Sequence, residues 1–176
     1  IRVANDSQIG FASDYNLFDL APGAAVGYWQ GSARTDLRAW QSADFTDASS
    51  SVGDPLFVDP AGGDYHVQSR HGSFHGGSLA PDLDGADQLV WPVAVETVDA
   101  SQSPAIDRGD AASDFAAEPA DNGGYVNIGA YGNTAQASKS PAQYILLFDP
   151  RGGEVIPQDT SFQVRWRSDG FAGDVD

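Results

Sequence analysis

The chain contains no cysteine and no methionine. Without Cys it has no disulfide, no thiolate zinc site and no cysteine nucleophile. That absence leaves the compartment open, because many secreted bacterial proteins also lack cysteine. Basic residues are scarce: 8 Arg and 1 Lys stand against 22 Asp and 3 Glu, a formal net charge of −16 over 176 residues. A phosphate backbone or an anionic bilayer is held by a cationic face, so the charge argues against nucleic acid and against membrane docking. Long apolar runs are missing as well. None approaches the roughly 18–20 residues of a spanning helix, which predicts no membrane insertion.

The good helix formers Glu and Lys are nearly absent, whereas Asp, Gly (20) and Pro (10) are abundant. Asp, Gly and Pro favour turns and caps, so the chain is expected to be mostly strands and loops. One Lys among so many Asp fits a protein kept soluble in salt or seawater; GC-rich codon usage accounts for it equally well. The length allows one ordinary domain, or one and a piece of another, with a real core. The chain starts at Ile1 without Met or a signal-peptide pattern and stops at Asp176 inside an unfinished β pattern. Both are read as marks of a longer protein, whose remainder is an expected partner.

Short apolar runs broken by turn formers recur along the chain. Ile9-Gly10-Phe11 and Tyr15-Asn16-Leu17-Phe18 read as short strands. Thr35 to Gln41 is the one convincing helix: Thr35 is placed to N-cap it, Asp36 falls in its first turn, and Leu37 and Trp40 share a face. Asp54 to Pro60 is a buried-type strand between two Asp-Pro pairs, Ala61 to Asp64 a tight turn, and Tyr65 to Gln68 the next strand. Ser69 to Ala100 is long and irregular; Leu89-Val90-Trp91 and Val93-Ala94-Val95 are candidates for pairing. Ser103 to Asp110 and Asn127 to Gly132 read as strand-like elements. A linker follows, and Tyr144 to Phe148 reads as a strand with a turn after it. From Ser161 to Arg167 the pattern alternates, with Phe162, Val164 and Trp166 on one face, as in a half-buried antiparallel strand. A domain boundary is therefore expected near residue 142.

The ordered set Ser13-Asp14-Tyr15-Asn16-Leu17-Phe18, Asp54-Pro55-Leu56-Phe57-Val58-Asp59-Pro60, Gly63-Asp64-Tyr65-His66-Val67, Ser103-Pro104-Ala105-Ile106-Asp107-Arg108-Gly109-Asp110 and Asn127-Ile128-Gly129-Ala130-Tyr131 resembles the C-terminal end of secreted right-handed parallel β-helix proteins. That broad group includes many polysaccharide lyases. The resemblance spans roughly residues 1–135. The tail resembles the opening strands of an immunoglobulin-like domain found after bacterial β-helices and in a Ser/Thr-rich family of fungal cell-wall proteins. That match rests on Pro150 to Val155 and on Val164-Arg165-Trp166. A sandwich needs about 100 residues, and only 33 run from Tyr144 to Asp176.

The expected fold class is thus all-β: terminal coils of a right-handed parallel β-helix with a capping region over 1–142, then truncated β-sandwich strands over 143–176. The resemblance implies an extracellular or cell-surface protein that binds or processes polysaccharide. A non-catalytic surface or adhesion protein with the β-helix as spacer would have the same sequence features. In either case stacked coils need a cap, for which the Thr35–Gln41 helix and the Ser69–Ala100 segment are candidates.

Residues with chemistry to offer are few. His66, His71 and His75 are close in sequence, but Gly72, Gly76 and Gly77 oppose the helix that an i,i+4 metal pair needs. Asp82, Asp84 and Asp87, with Gly85 between them, suit a hard cation such as calcium; the alternative is an exposed acidic turn. No cofactor is required. Asp107, Asp110 and Asp114, like Asp54, Asp59 and Asp64, read as turn carboxylates that accept backbone N–H bonds. A lyase needs a base and a cation for the uronate carboxylate, and Arg34, Arg38 and Arg70 are scattered without a partner constellation. A glycosidase needs two facing carboxylates about 5–9 Å apart, a test with no power among 25 acids. No nucleophile elbow, P-loop or dinucleotide fingerprint occurs. No catalytic residue is assigned. Trp29 and Trp91, both in loops, are the candidate sugar-stacking residues, whereas Trp40 belongs with Leu37 in packing.

Overall fold

Residues 1–150 and 156–172 are described by the computed structural model. In chain order they form β1 (Leu17–Phe18), β2 (Gly27–Trp29), β3 (Ser32–Arg34), α1 (Leu37–Asp44), β4 (Ser51–Val52), β5 (Phe57–Asp59), β6 (Asp64–Val67), β7 (Ser73–His75), β8 (Asp82–Leu83), β9 (Leu89–Val90), β10 (Val95–Thr97), β11 (Tyr144–Asp149) and β12 (Arg165–Asp169). Helix accounts for 7% and strand for 23%. The chain is therefore mostly β, with long connections, as a sequence poor in Glu and Lys demands. The strands pair two by two in small sheets. Two compact units result: residues 1–52 with 142–176, and residues 53–141.

In the first unit the core is Val3, Val26, Trp29 and Trp40, with Phe11, Phe18, Leu20, Leu37 and Ala43 packed against it. Trp40 meets Trp29 edge to face at 6.0 Å and Phe11 at 6.2 Å, the tilted geometry that aromatic quadrupoles favour. β2 and β3 form an antiparallel hairpin. Gly27 in β2 has no side chain for a steric reason: a Cβ there would lie 2.3 Å from the Trp40 ring. β1 and β4 pair in parallel, Leu17 with Ser51 and Phe18 with Val52. A parallel bridge also joins Arg2 and Tyr28.

α1 begins two residues later than the expected start at Thr35. Asp36, not Thr35, is its N-cap: extended backbone places its carboxylate to accept the Ala39 N–H at 2.8 Å. A carboxylate meets both the free N–H groups and the positive end of the helix dipole. Phe45 closes the helix in the left-handed conformation, its N–H donating to Gln41 O. The Ile9–Phe11 segment is turn and loop, and Phe11 reaches the core without strand pairing.

β11 and β12 form an antiparallel hairpin with a register shift after Leu147. The Arg167 guanidinium stacks over the rings of Tyr144 and Phe148. Ile145, Leu147 and Trp166 are exposed. The last strand lies later than the alternation suggested, at Arg165–Asp169, so Phe162 and Val164 precede it. Residues 151–155 of the turn expected there lie outside the described residues.

In the second unit β5 and β6 form a hairpin. One turn of 3-10 helix at Pro60–Gly62 reverses the chain, with the Asp59 carboxylate accepting the Gly62 N–H and Gly63 in the left-handed region. Phe57 and Tyr65 pack edge to face at 5.3 Å. The Ser103–Asp110 and Asn127–Gly132 segments are turns, not strands. They are nevertheless laced together, Ile128 N–H donating to Ala105 O and Gly109 N–H to Val126 O. Three further bonds tie the unit to the β5–β6 hairpin and its ends. Ser103 N–H donates to Gln68 O, Ser103 Oγ to Pro55 O, and Ser138 Oγ to Val67 O. The apolar content of these motifs is too low for long strands, so hydroxyl and amide side chains close the backbone bonds instead.

Candidate functional site

The excursion from Gly76 to Asp99 in the second unit carries an exposed, apolar surface on a fixed base. Its base is built from two acids. Asp64 is buried; its Oδ2 accepts the Gly76 N–H at 2.8 Å, and its Oδ1 lies 2.6 Å from His66 Nδ1. The His66 ring is buried, stacks on Tyr131 at 3.5 Å, and reaches Gln136 Oε1 with Nε2. Burial, followed by the charge of Asp64, pushes the Tyr131 phenol up from its ordinary value. At the other end, Asp99 Oδ2 accepts the Ser69 N–H and the Ser73 hydroxyl, and Oδ1 lies 2.9 Å from His75 Nε2. β7 and β10 pair between these anchors, His75 opposite Val95 and Ser73 opposite Thr97. Lys139 makes an ion pair with Glu96 on β10.

Between the anchors, β8 and β9 form a hairpin with Leu83 opposite Leu89 and Asp82 opposite Val90. Asp84 makes its turn: Oδ1 accepts the N–H groups of Ala86 and Gln88, and these bonds hold its carboxyl below the usual range. Leu83, Leu89, Val93, Val95 and Val98 are exposed, and Trp91 is 62% exposed. This segment is the candidate interaction surface of the second unit.

The sequence candidates fall in different places. Trp91 stands on this surface. Trp29 is 7% exposed and lies in the first unit's core against Phe11 and Trp40. Asp82, Asp84 and Asp87 share the β8–β9 hairpin, all exposed, with Asp84 engaged by its own turn. Among the described residues no group of three or more His, Cys, Asp or Glu is arranged to hold a metal ion. No described helix is long and apolar enough to cross a membrane. His71 enters through its backbone, its N–H donating to Ser69 Oγ at 3.0 Å.

The six acids read as turn carboxylates all accept backbone N–H bonds. Asp54 bonds Leu56, Asp59 bonds Gly62, Asp64 bonds Gly76, Asp107 bonds Gly123, Asp110 bonds Ala112 and Asp114 bonds Ala116. Asp99 was not distinguishable in sequence from its acidic neighbours, yet it is the anchor of β7 and β10. The Ser73, His75 and Asp99 side chains resemble a nucleophile triad in composition only. Ser73 is fully buried and donates to the acid directly, and the same imidazole nitrogen faces both partners; a triad sets the acid on the other nitrogen.

No protein-family model, no curated protein and no solved structure matches this chain.

Proposed function

We propose that the chain supplies terminal coils and a cap of a right-handed parallel β-helix in an extracellular or cell-surface protein that binds or processes polysaccharide. This part is structural and carbohydrate-facing, with no catalytic residue of its own. The observation that carries the reading is Trp91, exposed just after β9 in a segment whose two ends are held by the Asp64 and Asp99 carboxylates. A water-facing indole offers the flat apolar face on which a sugar ring stacks. β1 and β4 pair in parallel over two residues, the sense in which stacked coils pair; the other five strand pairs among the described residues are antiparallel.

The test is a screen of these 176 residues against a polysaccharide panel, read for binding and for chain cleavage together. Binding without cleavage is expected. Release of reducing ends or of unsaturated uronate absorbance by this chain would overturn the structural assignment. Absence of any binding would overturn the carbohydrate-facing one and leave a spacer.

A further inference from the structure

We propose that the polysaccharide taken by the Trp91 surface is an uncharged one, and that polyuronates are rejected there. The inference rests on the reading of Trp91 as a sugar-facing residue and adds the class of ligand.

Residues 79–98 contain Asp82, Asp84, Asp87 and Glu96 and neither Lys nor Arg. The whole second unit has thirteen acids and three bases, Arg70, Arg108 and Lys139. None of the three lies within residues 79–98. Lys139 pairs with Glu96, Arg70 Nε donates to Ala100 O at 2.8 Å, and Arg108 has a partner of its own. A polyuronate carries a carboxylate on each sugar, and recognition of it demands cations at matching spacing. Here its carboxylates would meet the exposed acids Asp82 and Asp87 of the β8–β9 hairpin that Trp91 follows. Like charges placed together oppose association and slow encounter.

An uncharged chain meets the opposite situation. Its ring faces present C–H groups to Trp91 and to the Leu83–Leu89 pair. Its hydroxyls are donors, and the exposed carboxylates of Asp82 and Asp87 are acceptors. Leu89, Trp91 and Val93 are all exposed, so the segment offers water more than one apolar side chain.

The experiment is affinity electrophoresis of the wild-type chain and of Trp91→Ala, at near-physiological salt. The gels contain an uncharged soluble β-glucan, polygalacturonate or a glucosamine polymer. Circular dichroism melts verify that the variant is folded, as substitution of an exposed side chain predicts. The β-glucan is expected to retard the wild-type protein, with retention about tenfold weaker in Trp91→Ala, and polygalacturonate to leave both unretarded. Trp91-dependent retardation by polygalacturonate would overturn the charge inference while leaving the sugar-facing reading intact. So would Trp91-dependent retention that is stronger on the glucosamine polymer than on the glucan. If no polymer gives Trp91-dependent retention, the sugar-facing reading itself fails and takes this inference with it.

Discussion

The indole N–H of Trp40 donates to the carboxylate of Asp47 at 2.7 Å, and both side chains are fully buried. The same carboxylate accepts from Ser50 Oγ, Asn16 Nδ2 and Ser13 Oγ. One acid thus ties α1, the segment before β1 and the approach to β4 into a single network. Burial by itself would raise the Asp47 carboxyl; the bonds from Ser50, Asn16, Trp40 and Ser13 outweigh it and hold the group below its ordinary value.

A depressed folded-state value fixes the sign of the pH dependence. The stability from Asp47 is present above the unfolded value of 3.8 and is lost as pH falls through the folded value. Asp47→Ala leaves a buried indole N–H and an amide without their acceptor, at a cost of about 3 kcal/mol or more. Thermal melts at pH 7 are expected to show that loss. Melts from pH 5 downward are expected to show a flatter acid limb in the variant than in the wild type; an unchanged acid limb would remove Asp47 from the account.

Glu118 predicts the opposite slope. Burial raises its carboxyl, the N–H groups of Asn127 and Asn133 lower it in part, and the charge of Asp107 raises it further. The folded state therefore holds this proton more tightly than the unfolded one. Stability falls as pH rises from the unfolded value of 4.5 through the raised folded value, and levels off above it. Glu118→Gln keeps an oxygen for both N–H groups and discards the buried charge. Its melting temperature at pH 7 is expected to equal or exceed that of the wild type. A drop of several degrees would show that the negative charge itself is needed.

Gly27 tests the packing of the first unit. A methyl group there would strike the Trp40 ring and come within 2.8 Å of Ile1 O. Trp40 has no room to retreat, being enclosed by Trp29 and Phe11 and tethered to Asp47. Gly27→Ala is expected to cost about 1–3 kcal/mol, read as a lower urea midpoint with an unchanged slope. Equal stability would mean that the core is looser than this geometry.

These cases mark what residue patterns disclose. The β character, the helix near Leu37 and Trp40, and the Asp59–Gly63 reversal follow from local rules of propensity, capping and turn chemistry, and each was legible. So was the role of Asp54, Asp59, Asp110 and Asp114, each of which bonds an amide two or three residues on; Asp64 and Asp107 reach amides 12 and 16 residues away, which no local rule discloses. Asp47 and Asp99 were not legible. Their partners lie up to 34 and 30 residues away, and no local pattern separates a buried acid from an exposed one in a chain with 22 Asp. The strand-like motifs at Ser103 and Asn127 misled for a related reason. Their apolar residues are buried by side-chain bonds across the unit, and burial without ladder pairing has no period in sequence. Trp29 and Trp91 look alike as loop aromatics, and only the packing of Phe11 and Trp40 separates them.

Asp99 joins the buried scaffold to the exposed surface, so its removal is expected to affect the two differently. Asp99→Ala deprives the Ser69 N–H, the Ser73 hydroxyl and His75 of their shared acceptor. The β7–β10 pairing loses its clamp, whereas the Asp47 network of the first unit has no part in that contact. Hydrogen exchange is therefore expected to speed up over residues 73–98, and limited proteolysis to gain cuts there, with protection of α1 retained. Trp91-dependent retention on an uncharged polysaccharide is expected to weaken together with that protection, because a surface that must be ordered on binding binds less tightly. Faster exchange throughout the chain would instead make Asp99 a determinant of global stability. Retention unchanged despite local opening would show that the indole needs no fixed base.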